Sequence, residues 1–502
     1  MRAFDRILTA PQIDNDAGRI DGMPLLPKAP SGVSGLDEIT GGGLPLGRST
    51  LVCGPAGCGK TVMAMQFLHR GITDYGEPGV FVAFEESAGD LIANVTSLGF
   101  DLATAEAEGQ LIIDHVDVVR GEMAETGDWD LDGLFLRLGA AIDEIGAKRV
   151  VIDTIETLFT AFSDTTILRA ELRRLFEWLK ERGVTSIITG ERGDGTLTRH
   201  GIEEYVSDCV IGLDQRVHNL IATRRLRILK YRGSGHGSNE YPFLITEFGI
   251  VVQPSVQILA ELGTLSAAPL PVKSVSSGVA ALDDLLGNGG LIAGSTALVS
   301  GSIGSAKSIL AASFCYATCA RGERAIYFGY QETQAEIIRN MATIGLDLQQ
   351  WVDAGLLRFE CVHPRLLGLE AHLFLLQQAV RDFQPHLVAI DAISILLGIG
   401  TDEDVATTVT QQLLFLKHLQ ITALLVTDGH GEGRALIEEQ VVALSDVWID
   451  IVADHVAGQV APLLTVRKAR AMAHSGKAMR VTLTANGISM TDAEPESQTL
   501  SL

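Results

Sequence analysis

Short apolar runs alternate with longer amphipathic stretches along this chain, and the alternation recurs in its second half. Thr50 to Cys53, Gly79 to Phe84, Arg149 to Ile152 and Thr185 to Thr189 each read as a buried strand. Asp164 to Arg182 reads as a helix, because Leu168, Leu172, Leu175 and Leu179 recur at helical spacing. Ala297 to Val299 and Leu387 to Asp391 supply the matching strands further on. Strands and helices in alternation predict an α/β architecture: a mostly parallel sheet flanked by helices. No apolar run reaches bilayer-spanning length; Leu387 to Gly400 is short and carries Asp391. The N-terminus has no signal-peptide pattern.

The two halves repeat each other in detail. Gly54-Pro55-Ala56-Gly57-Cys58-Gly59-Lys60-Thr61 fits G-x-x-x-x-G-K-[ST] completely. Gly301-Ser302-Ile303-Gly304-Ser305-Ala306-Lys307-Ser308 fits it except at Ala306, where the second glycine should stand. Each follows an apolar run and opens a helix-like stretch, the context a phosphate-binding P-loop requires. Upstream, Ser31-Gly32-Val33-Ser34-Gly35-Leu36-Asp37 resembles Ser277-Gly278-Val279-Ala280-Ala281-Leu282-Asp283. Lys60 and Lys307 lie 247 positions apart, while Asp153 and Asp391, like Lys230 and Lys468, lie 238 apart. Anchors in one order at nearly constant spacing indicate duplication of a whole domain, not a solenoid of short repeats. The expected organisation is an extension over 1–30, a first domain over 31–255, a linker over 256–276, a second domain over 277–490 and a tail over 491–502. The Ala268-Pro269-Leu270-Pro271 stretch marks the linker.

Composition narrows the partners. The chain has 502 residues, enough for two cores, with a formal net charge of -23. That balance disfavours nucleic acid as the main partner, since phosphate backbones are bound through basic surfaces. Six cysteines without C-x-x-C spacing read as reduced thiols of a cytoplasmic protein. Cys58, inside the intact loop, raises the question of oxidation sensitivity.

In the first copy, small residues at 54–61 let backbone N–H groups converge on phosphates at a helix N-terminus. Lys60 would neutralise the β- and γ-phosphates of ATP, and the Thr61 hydroxyl would ligate Mg2+. Asp153 ends an apolar strand where a Walker-B carboxylate holds the magnesium shell; a helix cap is the competing reading. Glu85 and Glu86 also end a strand, and adjacent strand residues point to opposite faces. Glu85 is assigned as the base that activates water and Glu86 a supporting role, against the alternative of a solvated strand end. Lys230 and Arg232, spaced i, i+2, project the same way and suit charge stabilisation at a γ-phosphate, in a neighbouring subunit's site if rings form. A plain basic strand edge competes with that assignment.

The succession of P-loop, Glu85-Glu86, Ile152-Asp153-Thr154, Arg199-His200-Gly201 and Lys230-Tyr231-Arg232-Gly233-Ser234-Gly235-His236 resembles the KaiC family from about Ser31 to Met490. The resemblance implies two tandem RecA-like P-loop NTPase domains, a double-ring homohexamer with ATP and Mg2+ at subunit interfaces, slow hydrolysis in the first ring and autophosphorylation in the second. It also implies trans contacts from Lys230, Arg232 and His236, nucleotide contact by Ser97, and a KaiB-like partner received near Asp117 to Asp130.

The second copy keeps Lys307, Ser308 and Asp391, with Lys468, Arg470 and His474 in the place of the trans contacts. Ser308 and Asp391 are the expected metal ligands there. Three departures set it apart. Ala306 replaces a loop glycine, which crowds the phosphate or demands a costly backbone conformation. Gln331-Glu332 replaces the glutamate pair; glutamine accepts no proton, and Glu332 is the residue left to compensate. The Ser-Thr pair that the resemblance leads one to expect falls on Val442 and Ala443, which have no hydroxyls. The expectation is therefore ATP hydrolysis in the first domain, with Lys60, Glu85 and Glu86 catalytic, and a nucleotide-binding regulatory second domain. The alternatives are a serine/threonine protein kinase or autokinase using the second domain, and a DNA-dependent ATPase of the RecA or DnaB kind.

Overall fold

The computed structural model describes residues 19–20, 23–24, 26–116, 131–159, 165–193, 207–254, 273–429 except 288, 434–456, and 459–493 except 471 and 486. Arg199-His200-Gly201 and the Asp117 to Asp130 segment lie outside the described residues. The chain divides into two compact units, residues 1–216 with 224–258 and residues 217–223 with 259–502.

The first unit is built on β1 (Ser49–Gly54), α1 (Lys60–Tyr75), β2 (Gly79–Ala83), α2 (Ala88–Thr96), β3 (Leu111–His115), α3 (Asp132–Ile145), β4 (Arg149–Asp153), α4 (Thr165–Glu181) and β5 (Thr185–Glu191), followed by β6 (Cys209–His218), β7 (Ile221–Tyr231), β8 (Glu240–Thr246) and β9 (Gly249–Val252). Its nine strands are ordered β9-β8-β7-β6-β1-β5-β4-β2-β3. The pairs β6·β1, β1·β5, β5·β4, β4·β2 and β2·β3 are parallel, and β7·β8 and β8·β9 antiparallel. Strands β1, β2 and β4 are buried along their whole length, which is why they read as continuous apolar runs and not as alternating ones. One face packs against α1 through Val52, Phe67, Phe81 and Val151, and the other against α3 and α4 through Leu51, Val80, Leu138, Leu172 and Leu175. The helical spacing of Leu168, Leu172, Leu175 and Leu179 is explained by that second face: all four are buried.

The second unit repeats the plan with β10 (Thr296–Gly301), α5 (Lys307–Ala320), β11 (Ala325–Gly329), α6 (Gln334–Ala342), β12 (Leu357–Cys361), α7 (Leu369–Phe383), β13 (Leu387–Asp391), α8 (Asp402–His418), β14 (Thr422–Asp428), α9 (Arg434–Leu444), β15 (Val447–Val456), β16 (Gln459–Ala469), β17 (Met479–Thr484) and β18 (Gly487–Asp492). The nine strands run β12-β11-β13-β14-β10-β15-β16-β17-β18, the same order as in the first sheet when that is read from its β3 edge. The α/β class and tandem RecA-like architecture expected from the sequence are what the two sheets show.

The repeated leader peptide has a physical role in both units. The Ser31 N–H and hydroxyl donate to the Asp37 carboxylate at 2.9 and 2.6 Å, and those of Ser277 donate to Asp283 at 2.8 and 2.7 Å. Each carboxylate thereby fastens the chain entering its unit to the first short helix.

Candidate functional site

In an open parallel sheet the ligand crevice lies beyond the carboxyl ends of the strands. Both P-loops stand there, each leaving the central strand of its sheet. Gly59 sits at φ 109° immediately before α1, a left-handed conformation open to glycine. A side chain at Gly54 would meet Leu213 O at 2.5 Å. No side chain caps α1 and its first turn holds no acid, leaving backbone N–H groups directed at the loop, a cradle suited to phosphate.

Lys60 is buried and its ammonium donates to Gly54 O at 2.9 Å and Pro55 O at 3.1 Å, folding back over the loop. The Thr61 hydroxyl donates to Asp153 Oδ2 at 2.8 Å, so the two expected magnesium ligands converge from α1 and β4. Oxygen donors of this kind, one hydroxyl and one carboxylate, fit Mg2+, which takes its remaining ligands from water and phosphate. Among the described residues no group of three or more His, Cys, Asp or Glu forms an all-protein metal cage. Burial raises the Asp153 carboxyl above its usual range, opposed by hydrogen bonds from Thr189 and Thr61.

The two glutamates diverge, but they stand in the bend that follows β2, which ends at Ala83, and not on the strand itself as expected. Glu85 Oε1 accepts from Thr154 Oγ1 at 3.1 Å and Thr157 Oγ1 at 3.5 Å, beside the end of β4. Glu86 Oε2 accepts from Asn94 Nδ2 at 3.0 Å on α2. Lys60, Thr61, Asp153 and Glu85 therefore gather around one crevice, while Glu86 faces away. Ser97 caps the C-terminus of α2, its hydroxyl donating to Asn94 O at 3.4 Å. Lys230 and Arg232 lie at the end of β7, separated from β1 by β6; the Arg232 guanidinium is 3.9 Å from Asp208, and His236 Nδ1 is 3.1 Å from Gly237 O. Within one chain these residues are not gathered at the P-loop of their own unit. Cys58 is buried, and burial raises its thiol pKa, which gives no support to an oxidation-sensitive P-loop.

In the second unit the same elements carry different side chains. Ala306 stands at φ 69°, ψ 19°, the left-handed conformation, so the replacement of glycine is met by a strained alanine and not by a rebuilt loop. Lys307 donates to Gly301 O at 2.9 Å and Ser302 O at 2.6 Å. The Ser308 and Tyr327 hydroxyls bond to Asp391, with Tyr327 Oη 2.5 Å from Oδ2, and burial raises that carboxyl. Glu332 accepts from Asn340 Nδ2 at 2.8 Å, repeating the Glu86–Asn94 pair eight residues apart. Gln331 thus occupies the place of Glu85, and Glu332 that of Glu86. Lys468 donates to Val442 O and Arg470 to Ala443 O at 2.8 Å, which engages both basic groups with the C-terminal carbonyls of α9. His474 is exposed.

Two residues not singled out from the sequence complete the Walker-B environments. In the first unit Thr189 on β5 donates to Asp153 Oδ1. The equivalent β14 position is Val426, since Val52 pairs Thr189 as Val299 pairs Val426. There the second bond comes from the opposite neighbour, Tyr327 on β11, where the first unit has Phe81. One hydrogen bond has been exchanged between flanking strands.

Two P-loops, each with a Thr or Ser and a strand-end Asp at the carboxyl edge of a nine-stranded sheet, define a tandem RecA-like P-loop ATPase. The family model described as "ATPase: KaiC" matches residues 29–257 and again 275–495, and the chain belongs to the KaiC family. It is 46% identical over 469 residues to "Circadian clock protein KaiC2" of Synechocystis sp., covering 93% of this chain and 82% of that protein. It is 36% identical to "Circadian clock oscillator protein KaiC" of Synechococcus elongatus over 456 residues, 89% of this chain and 86% of the relative. The corresponding protein of Parathermosynechococcus lividus is 36% identical over 494 residues, 97% and 89% of the two chains. KaiC-family membership makes this an ATP-binding protein of ATPase type. Among the described residues no helix is long and apolar enough to cross a membrane.

Proposed function

We propose that the first domain (31–255) hydrolyses Mg-ATP and that the second (277–490) binds nucleotide without efficient hydrolysis, acting as a regulatory ring in a self-assembled, clock-like or signalling ATPase. One observation carries this reading. At equivalent positions beside the Walker-B strand, Glu85 offers a carboxylate and Gln331 an amide, while the P-loop lysine, the hydroxyl after it and the Walker-B aspartate are retained.

Each residue then has a task. Backbone N–H groups at the start of α1 hold the phosphates, Lys60 neutralises the charge growing at the γ-phosphate, and Thr61 with Asp153 would hold the Mg2+, which supplies Lewis-acid polarisation when bound. Glu85 accepts the proton of the attacking water, held in place by Thr154 and Thr157. Glu86 fixes the turn into α2. Ser97, Lys230, Arg232 and His236 would complete the nucleotide site of a neighbouring subunit, and a homohexameric double ring with a KaiB-like partner belongs to the same reading. The sulfur chemistry agrees with a cytoplasmic protein: all six cysteines are free thiols.

Steady-state phosphate release by the full chain tests the proposal. Lys60→Ala should remove most turnover and Lys307→Ala should leave most of it; the opposite ranking overturns the assignment. Autokinase activity at the usual pair is disfavoured, because Val442 and Ala443 offer only carbonyls, and Lys468 and Arg470 hold them.

A further inference from the structure

The two P-loop lysines differ in one contact. In the second unit Lys307 Nζ lies 3.3 Å from Asp428 Oδ1, an ion pair with side chains only 6% and 15% exposed. In the first unit Lys60 has no such ion pair among the described residues, although an acid, Glu191, holds the equivalent position. Gly54 pairs Glu191 on β5 as Gly301 pairs Asp428 on β14.

The cause lies three residues beyond each Walker-B aspartate. There the first unit has Glu156, whose carboxylate accepts the Glu191 N–H. The second unit has Ser394, whose hydroxyl accepts the Asp428 N–H at 3.2 Å and donates to Asp428 Oδ2 at 3.3 Å. One hydroxyl therefore does what Glu156 does and also orients the acid, turning Oδ1 toward Lys307. The substitutions Glu156 to Ser394 and Glu191 to Asp428, read from one copy to the other, build the clasp together.

We propose that Asp428 determines which nucleotide the second site takes, selecting against triphosphate and in favour of diphosphate. This deepens the proposed function and rests on the second domain binding nucleotide at all. A P-loop lysine bridges the β- and γ-phosphates. Asp428 holds that ammonium, so the γ-phosphate, which ATP carries and ADP lacks, would have to draw it from the carboxylate. Binding ATP requires Lys307 to leave a partly desolvated carboxylate and leaves that carboxylate facing the added negative charge. ADP asks for neither in full. With Gln331 at the base position, the arrangement gives a site that retains product-like nucleotide while the first site turns over.

The test is equilibrium binding of radiolabelled ATP and ADP, with Mg2+, to the full chain carrying Lys60→Ala, so that saturable binding reports the second site. Adding Asp428→Asn should strengthen ATP binding by roughly 10- to 100-fold, the range of a charged hydrogen bond, with a much smaller change for ADP. Equal changes for both nucleotides, no change, or weaker ATP binding would overturn the proposal. If Asp428→Asn does not fold, Ser394→Ala carries the test: a rise of about threefold or more in the ATP-to-ADP preference supports it, and an unchanged ratio refutes it. A chain whose residual binding is indifferent to Lys307→Ala would instead sink the reading of the second domain as a nucleotide site, a separate failure.

Discussion

Replacing Glu85 by glutamine imposes on the first domain the chemistry found in the second. The substitution is nearly isosteric, and the amide oxygen can still accept from Thr154 and Thr157, which now bond Oε1 at 3.1 and 3.5 Å. Glu85 is exposed, so folding should be unaffected. What disappears is the proton acceptor. Loss of a positioned base costs about 10²- to 10⁴-fold in rate, or roughly 3 to 5 kcal/mol on the barrier. Phosphate release by the full chain at saturating Mg-ATP should fall by that factor, while the amount of ATP bound per chain stays the same. Glu86→Gln, which among the described residues alters the bond to Asn94, should change turnover by less than about tenfold. Turnover of Glu85→Gln within threefold of wild type, or a larger loss with Glu86→Gln, would refute the division of roles between the two carboxylates.

Other consequences follow from particular residues. Ala306→Gly should stabilise the second unit by up to about 1 kcal/mol, the relief of a left-handed alanine less the entropy a glycine gains on unfolding, measured by denaturant titration. Thr189→Val should lower turnover by roughly 10- to 100-fold by freeing one oxygen of Asp153, with little effect on ATP held by the second unit. Burial pushes the Asp37 carboxyl up to about 6 from 3.8, against the bonds from Ser31. Its folded value lies above the unfolded one, so its contribution to stability is full below about pH 3.8 and is lost as pH rises through about 6. Relative to Asp37→Asn, the wild-type unfolding free energy should therefore fall by on the order of 3 kcal/mol across that window, and a difference independent of pH would contradict the assignment.

The fold was legible wherever local pattern and burial coincide. Strands buried on both faces must be apolar throughout, so Val150 to Ile152 and Leu387 to Ile390 announced themselves, and α4 showed through its leucine stripe. The P-loops were equally plain, because the loop needs specific residues at fixed spacing. Non-local partners left no such trace. Thr189 and Tyr327 serve the same aspartate position from opposite flanking strands, and only the strand order tells which neighbour can reach it. Asp428 escaped for the same reason: its meaning depends on β14 pairing with β10 and on Ser394 lying alongside. Glu332 could be weighed as a substitute base from sequence, whereas its bond to Asn340 places it with Glu86.

The division of labour between the domains can be read directly from what each holds after one round of reaction. Chains carrying Lys60→Ala or Lys307→Ala would be loaded with ATP labelled in the adenine ring, quenched, and their bound nucleotide separated. The account predicts that Lys307→Ala chains contain chiefly ADP and that Lys60→Ala chains retain intact ATP. Rapid conversion to ADP in Lys60→Ala, with ATP persisting in Lys307→Ala, would contradict it.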